Sequence, residues 1–169
     1  ALVPYFQKRC RDTDKILKAM YVAAGIGQII ATRSSISGAA GGCQAEIGSA
    51  SSMAAGALTY LQGGNCEQIA TSAAMAMKNL LGLVCDPVAG LVEVPCVKRN
   101  VIGTVNAMAC ADMAMAGIVS RIPPDQVMDA MKEVGDKMDA SLRETALGGL
   151  AQTDEGMKIA EKMHASYEN

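Results

Sequence analysis

The sequence predicts an all-α bundle, and three observations carry that expectation. Apolar residues recur at helical spacing through most of the 169 residues, and no stretch shows the period-two alternation of a half-buried strand. The composition is also distinctive: Ala-rich, with seventeen Gly and twelve Met against one Phe and no Trp. Such residues fill a core by close helix approach and flexible Met side chains in place of aromatic rings.

Half of the residues are apolar, enough for one domain with a real core and too few for a second full one. Residues 1–12 read as a leading segment that begins in the middle of something, since they show neither a capping signal nor a clear period. Residues 13–169 read as a single helical domain. Asp12 or Thr13 caps a first helix to about Ala31, with Ile16, Leu17, Met20, Ala24 and Ile29-Ile30 at helical spacing. Gly25 and Gly27 cost that helix stability and mark places where a neighbouring backbone comes close. A run of small residues, Ser34 to Gly42, follows as a loop.

A second helix is expected from Cys43 to Leu61, ended by Gly63-Gly64. Asn65 with Gln68 makes an N-terminal signature for a third, to about Leu81, whose Ile69, Ala70, Ala73, Ala74, Met75, Ala76 and Met77 place it in the middle of the bundle. Two prolines and a glycine keep the stretch from Cys85 to Cys96 out of helix. Asn100 is expected to cap a fourth long helix to about Val119, again central. Pro123-Pro124-Asp125 opens an amphipathic surface helix with Val127, Met128, Met131, Val134 and Met138 inward. Ser141-Leu142-Arg143-Glu144 has the form of a capping box with room for a turn or two before Gly148-Gly149, and Thr153 caps the last helix.

Net charge is −2, and the basic residues are dispersed apart from Lys8-Arg9 with Arg11 and the pair Lys98-Arg99, so nucleic acid is not an expected partner. Gln28, Gln44, Glu46, Lys78 and Asp112 interrupt the apolar runs before they reach the roughly twenty residues that span a bilayer. With no signal-peptide pattern either, the expectation is a soluble, cytoplasmic protein with no membrane partner. Six cysteines in Ala-rich helical surroundings are expected as reduced thiols.

Cys43, Cys85 and Cys96 stand at loop-to-helix junctions, where three thiols could face one point. No C-x-x-C spacing supports this, and by residue type alone two readings stand: soft ligands for zinc or an iron-sulfur cluster, or small buried hydrophobes. Three thiols without a fourth ligand would leave one metal position open for Lewis-acid chemistry. The Ser/Gly run before Cys43 is either an anion-binding turn or a flexible connector. Lys98, Arg99 and Asp86 are catalytic candidates or structural ion partners. Cys10, Cys66 and Cys110 fit an ordinary role, and the sole histidine, His164, reads as solvated.

Three stretches then become recognisable together. Ser37-Gly38-Ala39-Ala40-Gly41-Gly42-Cys43-Gln44-Ala45-Glu46, the run from Gly82 to Asn100, and Arg143-Glu144-Thr145 with Gly148-Gly149-Leu150-Ala151 resemble the catalytic α part of bacterial iron-sulfur-dependent L-serine dehydratases. That resemblance implies that Cys43, Cys85 and Cys96 hold a 4Fe-4S cluster. It also implies conversion of L-serine to pyruvate and ammonia without pyridoxal phosphate. Ser37 and Gly38 would then grip the substrate carboxylate, Arg99 and Asn100 would assist, and Lys98 is a candidate base. A β domain or subunit is expected as partner, within a homo- or hetero-oligomer. The alternatives are a related iron-sulfur β-elimination, such as desulfuration of L-cysteine, and a non-catalytic helical assembly module.

Overall fold

Seven α-helices make up the regular structure among the residues described by the computed structural model, 12–167, and no strand forms there. The all-α expectation therefore holds; the leading segment, apart from Asp12, lies outside the described residues. Helix α1 (Thr13–Arg33) begins as predicted, with the Asp12 carboxylate accepting from the Lys15 N–H at 3.1 Å. A Cβ on Gly27 would meet Met53 Cε at 2.9 Å, so the close neighbour there is a Met side chain and not the expected backbone. Gly25 is a correction: nothing lies within 4 Å of it, because its side of α1 faces solvent.

The expected second helix divides. A single turn, α2 (Gly38–Gly41), precedes Cys43, a π-helical turn spans Gln44–Gly48, and α3 (Ser49–Leu61) continues from it. Helix α4 (Cys66–Lys78) starts at the predicted Asn65–Gln68 signature, which forms a capping box, and its residues from Thr71 to Met77 are all buried. It packs against α3, α5 and α6 and so occupies the expected central place. Small hydroxyl residues let α3 and α4 approach: Ser52 donates to the Ala73 carbonyl at 2.6 Å and Thr59 to Ser72 Oγ at 2.8 Å, so these buried hydroxyls are satisfied.

Helix α5 (Cys96–Met115) starts one turn earlier than predicted. Asn100 is not its cap; it sits inside, and its amide donates to the Cys96 carbonyl at 3.0 Å. Pro95 can stand before the first turn because it gives up no backbone donor. The helix stops at Met115, short of Val119, where Gly117 turns the chain at φ 86°. Its central placement holds for one face only: Gly103, Ala107, Cys110, Ala111 and Ala114 are buried, while Val97, Val101, Ile102 and Val105 are exposed. The small residues form the face that meets α3 and α4, and the large ones turn outward.

Helix α6 (Pro124–Lys137) buries Val127, Met128 and Met131 as predicted, with Val134 and Met138 half-buried. Arg33 ties it to α1 through Asp129 at 2.8 Å. At the predicted capping box, short 3₁₀ turns at Ala140–Leu142 and Gly149–Gln152 form instead, because Asp139, not Ser141, supplies the cap. Thr153 caps α7 (Asp154–Tyr167) by accepting from the Gly156 N–H at 3.2 Å. No helix among the described residues is long and apolar enough to cross a membrane.

Candidate metal centre

Three segments distant in sequence deliver Cys43, Cys85 and Cys96 to one place. Cys43 leads into the π-helical turn, whose position is fixed by Gln44, a wholly buried side chain. The Gln44 N–H donates to the Leu83 carbonyl at 2.9 Å, its Nε2 to the Met131 carbonyl at 3.0 Å, and its Oε1 accepts from the Gly82 N–H at 2.9 Å. Cys85 is held from the other side: its N–H donates to the Leu142 carbonyl and its carbonyl accepts from the Glu144 N–H, both at 2.8 Å. Cys96 opens α5, just after the cis bond between Val94 and Pro95.

The three Sγ atoms lie within 4.8 Å of one another, with Cys43 and Cys96 3.9 Å apart, and all three are free thiols. They are buried beside Ile47, Leu80 and Leu83. Burial and the neighbouring Cys43 push the Cys96 thiol up to about 11, and burial first, then the neighbouring thiols, pushes Cys85 up further still. Without a cation Cys85 and Cys96 resist ionisation; a bound metal reverses that preference.

The donor set fits a soft metal. Three sulfurs converge, and no fourth Cys, His, Asp or Glu among the described residues joins them within that distance, which leaves a coordination position open. A tetrahedral ion with bonds near 2.3 Å sets its sulfurs about 3.8 Å apart. A cluster sets its cysteine sulfurs wider apart than the 3.9 Å between Cys43 and Cys96.

The surrounding polar residues divide into two groups. Arg99, half-buried, donates from Nη1 to the Val84 carbonyl at 2.7 Å and Asp86 Oδ1 at 2.8 Å, and lies 3.8 Å from Cys43 Sγ. On another side, Glu46 and Glu144 bring carboxylates to Gly38: a Cβ there would stand 2.7 Å from Glu46 Oε2 and 3.3 Å from Glu144 Oε2. Burial, then the charge of Glu144, holds the Glu46 carboxyl above its usual range, opposed by a hydrogen bond from the Gly38 backbone.

Of the sequence-predicted residues, the cysteines come together, Gly38 lies buried at the Glu46 carboxylate, and Ser37 is exposed with no side-chain capping bond. Lys98 and Asn100 are exposed on the first turns of α5. Cys66 and His164 are exposed, Cys110 is buried elsewhere, in the bundle core, and Cys10 lies outside the described residues. Sequence reasoning missed the Gln44 brace and the Glu46–Glu144 meeting. A buried glutamine flanked by small residues was a signal for the first; nothing local announced the second, across 98 positions.

A sequence model described as the serine dehydratase alpha chain matches residues 1–151, nearly the whole chain. The chain belongs to that family. Among its relatives, the probable L-serine dehydratase alpha chain of Latilactobacillus sakei is 56% identical over 148 residues, covering 88% of this chain and 71% of the relative. That of Bacillus subtilis is 56% identical over 150 residues, 89% of this chain and 50% of the relative. The L-serine dehydratase alpha chain of Peptoniphilus asaccharolyticus is 49% identical over 158 residues, 94% of this chain and 54% of the relative. The chain thus spans about half the length of two of these serine dehydratase alpha chains and seven-tenths of the third.

Proposed function

We propose that this chain is the metal-bearing part of an L-serine dehydratase, converting L-serine to pyruvate and ammonia, and that Cys43, Cys85 and Cys96 hold a 4Fe-4S cluster. The observation that carries the reading is the convergence of three buried thiols, with no fourth ligand among the described residues, in a chain of this family. When bound, the cluster supplies a Lewis-acidic iron that makes a hydroxyl a better leaving group.

The remaining tasks fall to the chain's own residues. Ser37, exposed beside buried Gly38, is assigned to the substrate carboxylate, with Asn100 and Lys98, exposed on the first turns of α5, as further candidates. Arg99 is already paired with Asp86, so its task lies with the cysteines. For the α-proton, Glu46 stands beside Lys98 as a candidate base, because burial and the charge of Glu144 hold its carboxyl above the ordinary carboxylate range and it lies against Gly38. A β domain or subunit completes the enzyme, and residues 13–169 act as one helical domain. Reduced thiols suit a cytoplasmic setting.

The deciding experiment is iron, acid-labile sulfide and zinc per chain after anaerobic reconstitution, followed by product assays with the β partner. About four iron and four sulfide, with pyruvate from L-serine, is the expected result. One metal ion without sulfide would replace the cluster by a mononuclear centre. Hydrogen sulfide from L-cysteine outpacing pyruvate would reassign the substrate. No metal at all would reduce the cysteines to core residues.

A further inference from the structure

Asp86 is one of the few charged side chains withdrawn from solvent, 3% exposed, and both its oxygens are used. Oδ1 accepts from Arg99 Nη1 at 2.8 Å. Oδ2 accepts from the Leu150 backbone N–H, also at 2.8 Å, across 64 residues of sequence. The turn that offers this N–H is shaped for the purpose. Gly149 adopts φ 61°, and a Cβ on it would run into the Asp86 carboxylate, so the backbone approaches as only glycine allows. Arg99 in turn spends one nitrogen on the Asp86 carboxylate and the Val84 carbonyl and turns the same nitrogen toward Cys43 Sγ, 3.8 Å away.

These bonds form a chain: the turn at Leu150 holds Asp86, Asp86 holds Arg99, and Arg99 faces a sulfur of the centre. Asp86 also follows Cys85 directly, and Arg99 lies one turn beyond Cys96, so the pair braces both ends of the loop between the two cysteines. Thiolate ligands depend on such outer partners, whose loss typically costs about 10- to 100-fold in metal affinity.

We propose that Asp86 is the positioning residue of the thiolate centre: its buried carboxylate aims the Arg99 guanidinium at Cys43 Sγ and fastens the Gly149–Leu150 turn to the cysteine loop. The inference rests on reading Cys43, Cys85 and Cys96 as a metal centre, though not on that metal being a cluster. Asn at position 86 tests it sharply. A carboxylate serves two donors, whereas an amide has one acceptor oxygen and must turn its NH2 toward either Arg99 or the Leu150 N–H. Shape is kept and one bond is necessarily lost.

The test is Cd2+ titration of the reduced 169-residue chain, followed by the sulfur-to-cadmium charge-transfer absorption, for the wild type, Asp86→Asn, Arg99→Gln and Arg99→Lys. Leu58→Ala, deep in the bundle and away from the cysteines, calibrates general destabilisation through its melting temperature. Asp86→Asn and Arg99→Gln are expected to bind Cd2+ about 10- to 100-fold more weakly. Arg99→Lys should fall between them and the wild type, and Leu58→Ala should bind as the wild type does. Wild-type affinity in Asp86→Asn would overturn the proposal, as would equal affinity loss in a Leu58→Ala protein melting at the same temperature. A wild type that binds Cd2+ but not iron and sulfide removes the cluster and leaves this inference to be judged by the variants. A wild type that binds no Cd2+ removes both.

Discussion

Cys43 and Cys110 are the same residue type, each fully buried, yet they inhabit different chemistry. Cys110 sits on α5 in the small-residue core with Ala55, Ala76, Ala107 and Ala111, with the side-chain amides of Asn79 and Asn106 at 3.5 and 3.6 Å. Burial pushes its thiol up to about 11, much as it does Cys96. Cys43 differs in having two further sulfurs and a guanidinium within reach. Burial therefore does not mark a ligand cysteine, and neither does a raised thiol. Convergence from separate segments does.

The largest effect that would break this comparison is on metal content. Cys43→Ser, Cys85→Ser and Cys96→Ser should each abolish metal uptake measured per chain, because two thiolates do not make a closed soft-metal site. Cys110→Ser should leave it unchanged. A metal-free Cys110→Ser protein of native fold would mean that the wrong cysteines have been grouped. Next in size is stability: Cys110→Ser puts a hydroxyl into a tight core and should cost about 1–3 kcal/mol in chemical unfolding, reduced toward the lower figure if Asn106 accepts the new donor. Reactivity sharpens the contrast further. With a maleimide at pH 8, exposed Cys66 should label first and Cys110 only as the fold opens. Cd2+ should protect Cys43, Cys85 and Cys96 selectively; equal protection of Cys110 would contradict the distinction.

The same division explains what could be read from the sequence. The bundle is written locally: the Asp12 cap, the Asn65–Gln68 box, the apolar run of α4 and the amphipathic pattern of α6 each specify structure within a turn or two. The cysteine triad was suggested by its loop-to-helix junctions but decided by long motifs that resembled a known family, since 41 and 10 intervening residues carry no spacing rule. What escaped were features set by tertiary neighbours. Asn100 has the chemistry of a cap, but Pro95 starts the helix a turn earlier. Val97, Val101, Ile102 and Val105 are as apolar as any core residue, yet the smaller face of α5 wins the interior because it permits closer packing. Asp86 was open to either an ionic or a catalytic reading, and only the Leu150 N–H shows how its second oxygen is used.

Glu46 gives the smallest and most conditional effect, and it tests the polar side of the centre without touching a sulfur. Its carboxyl is raised first by burial and then by Glu144, so in the folded chain the protonated form is favoured relative to the unfolded chain. Such a group contributes stability that is fully present below the ordinary carboxylate range and is lost as pH rises through the folded-state value. At pH 7 the ionised side chain therefore weakens the fold slightly. Glu46→Gln keeps an oxygen that can accept from the Gly38 N–H and removes the charge facing Glu144. The metal-free variant should melt slightly above the wild type at pH 7, and the gain should vanish below about pH 4, where the wild-type carboxyl is already protonated. Activity should move the opposite way, falling at every pH if Glu46 accepts the substrate proton. A variant that gains stability and keeps full turnover would leave the carboxylate pair as a local electrostatic feature and return the base to Lys98 or to the partner.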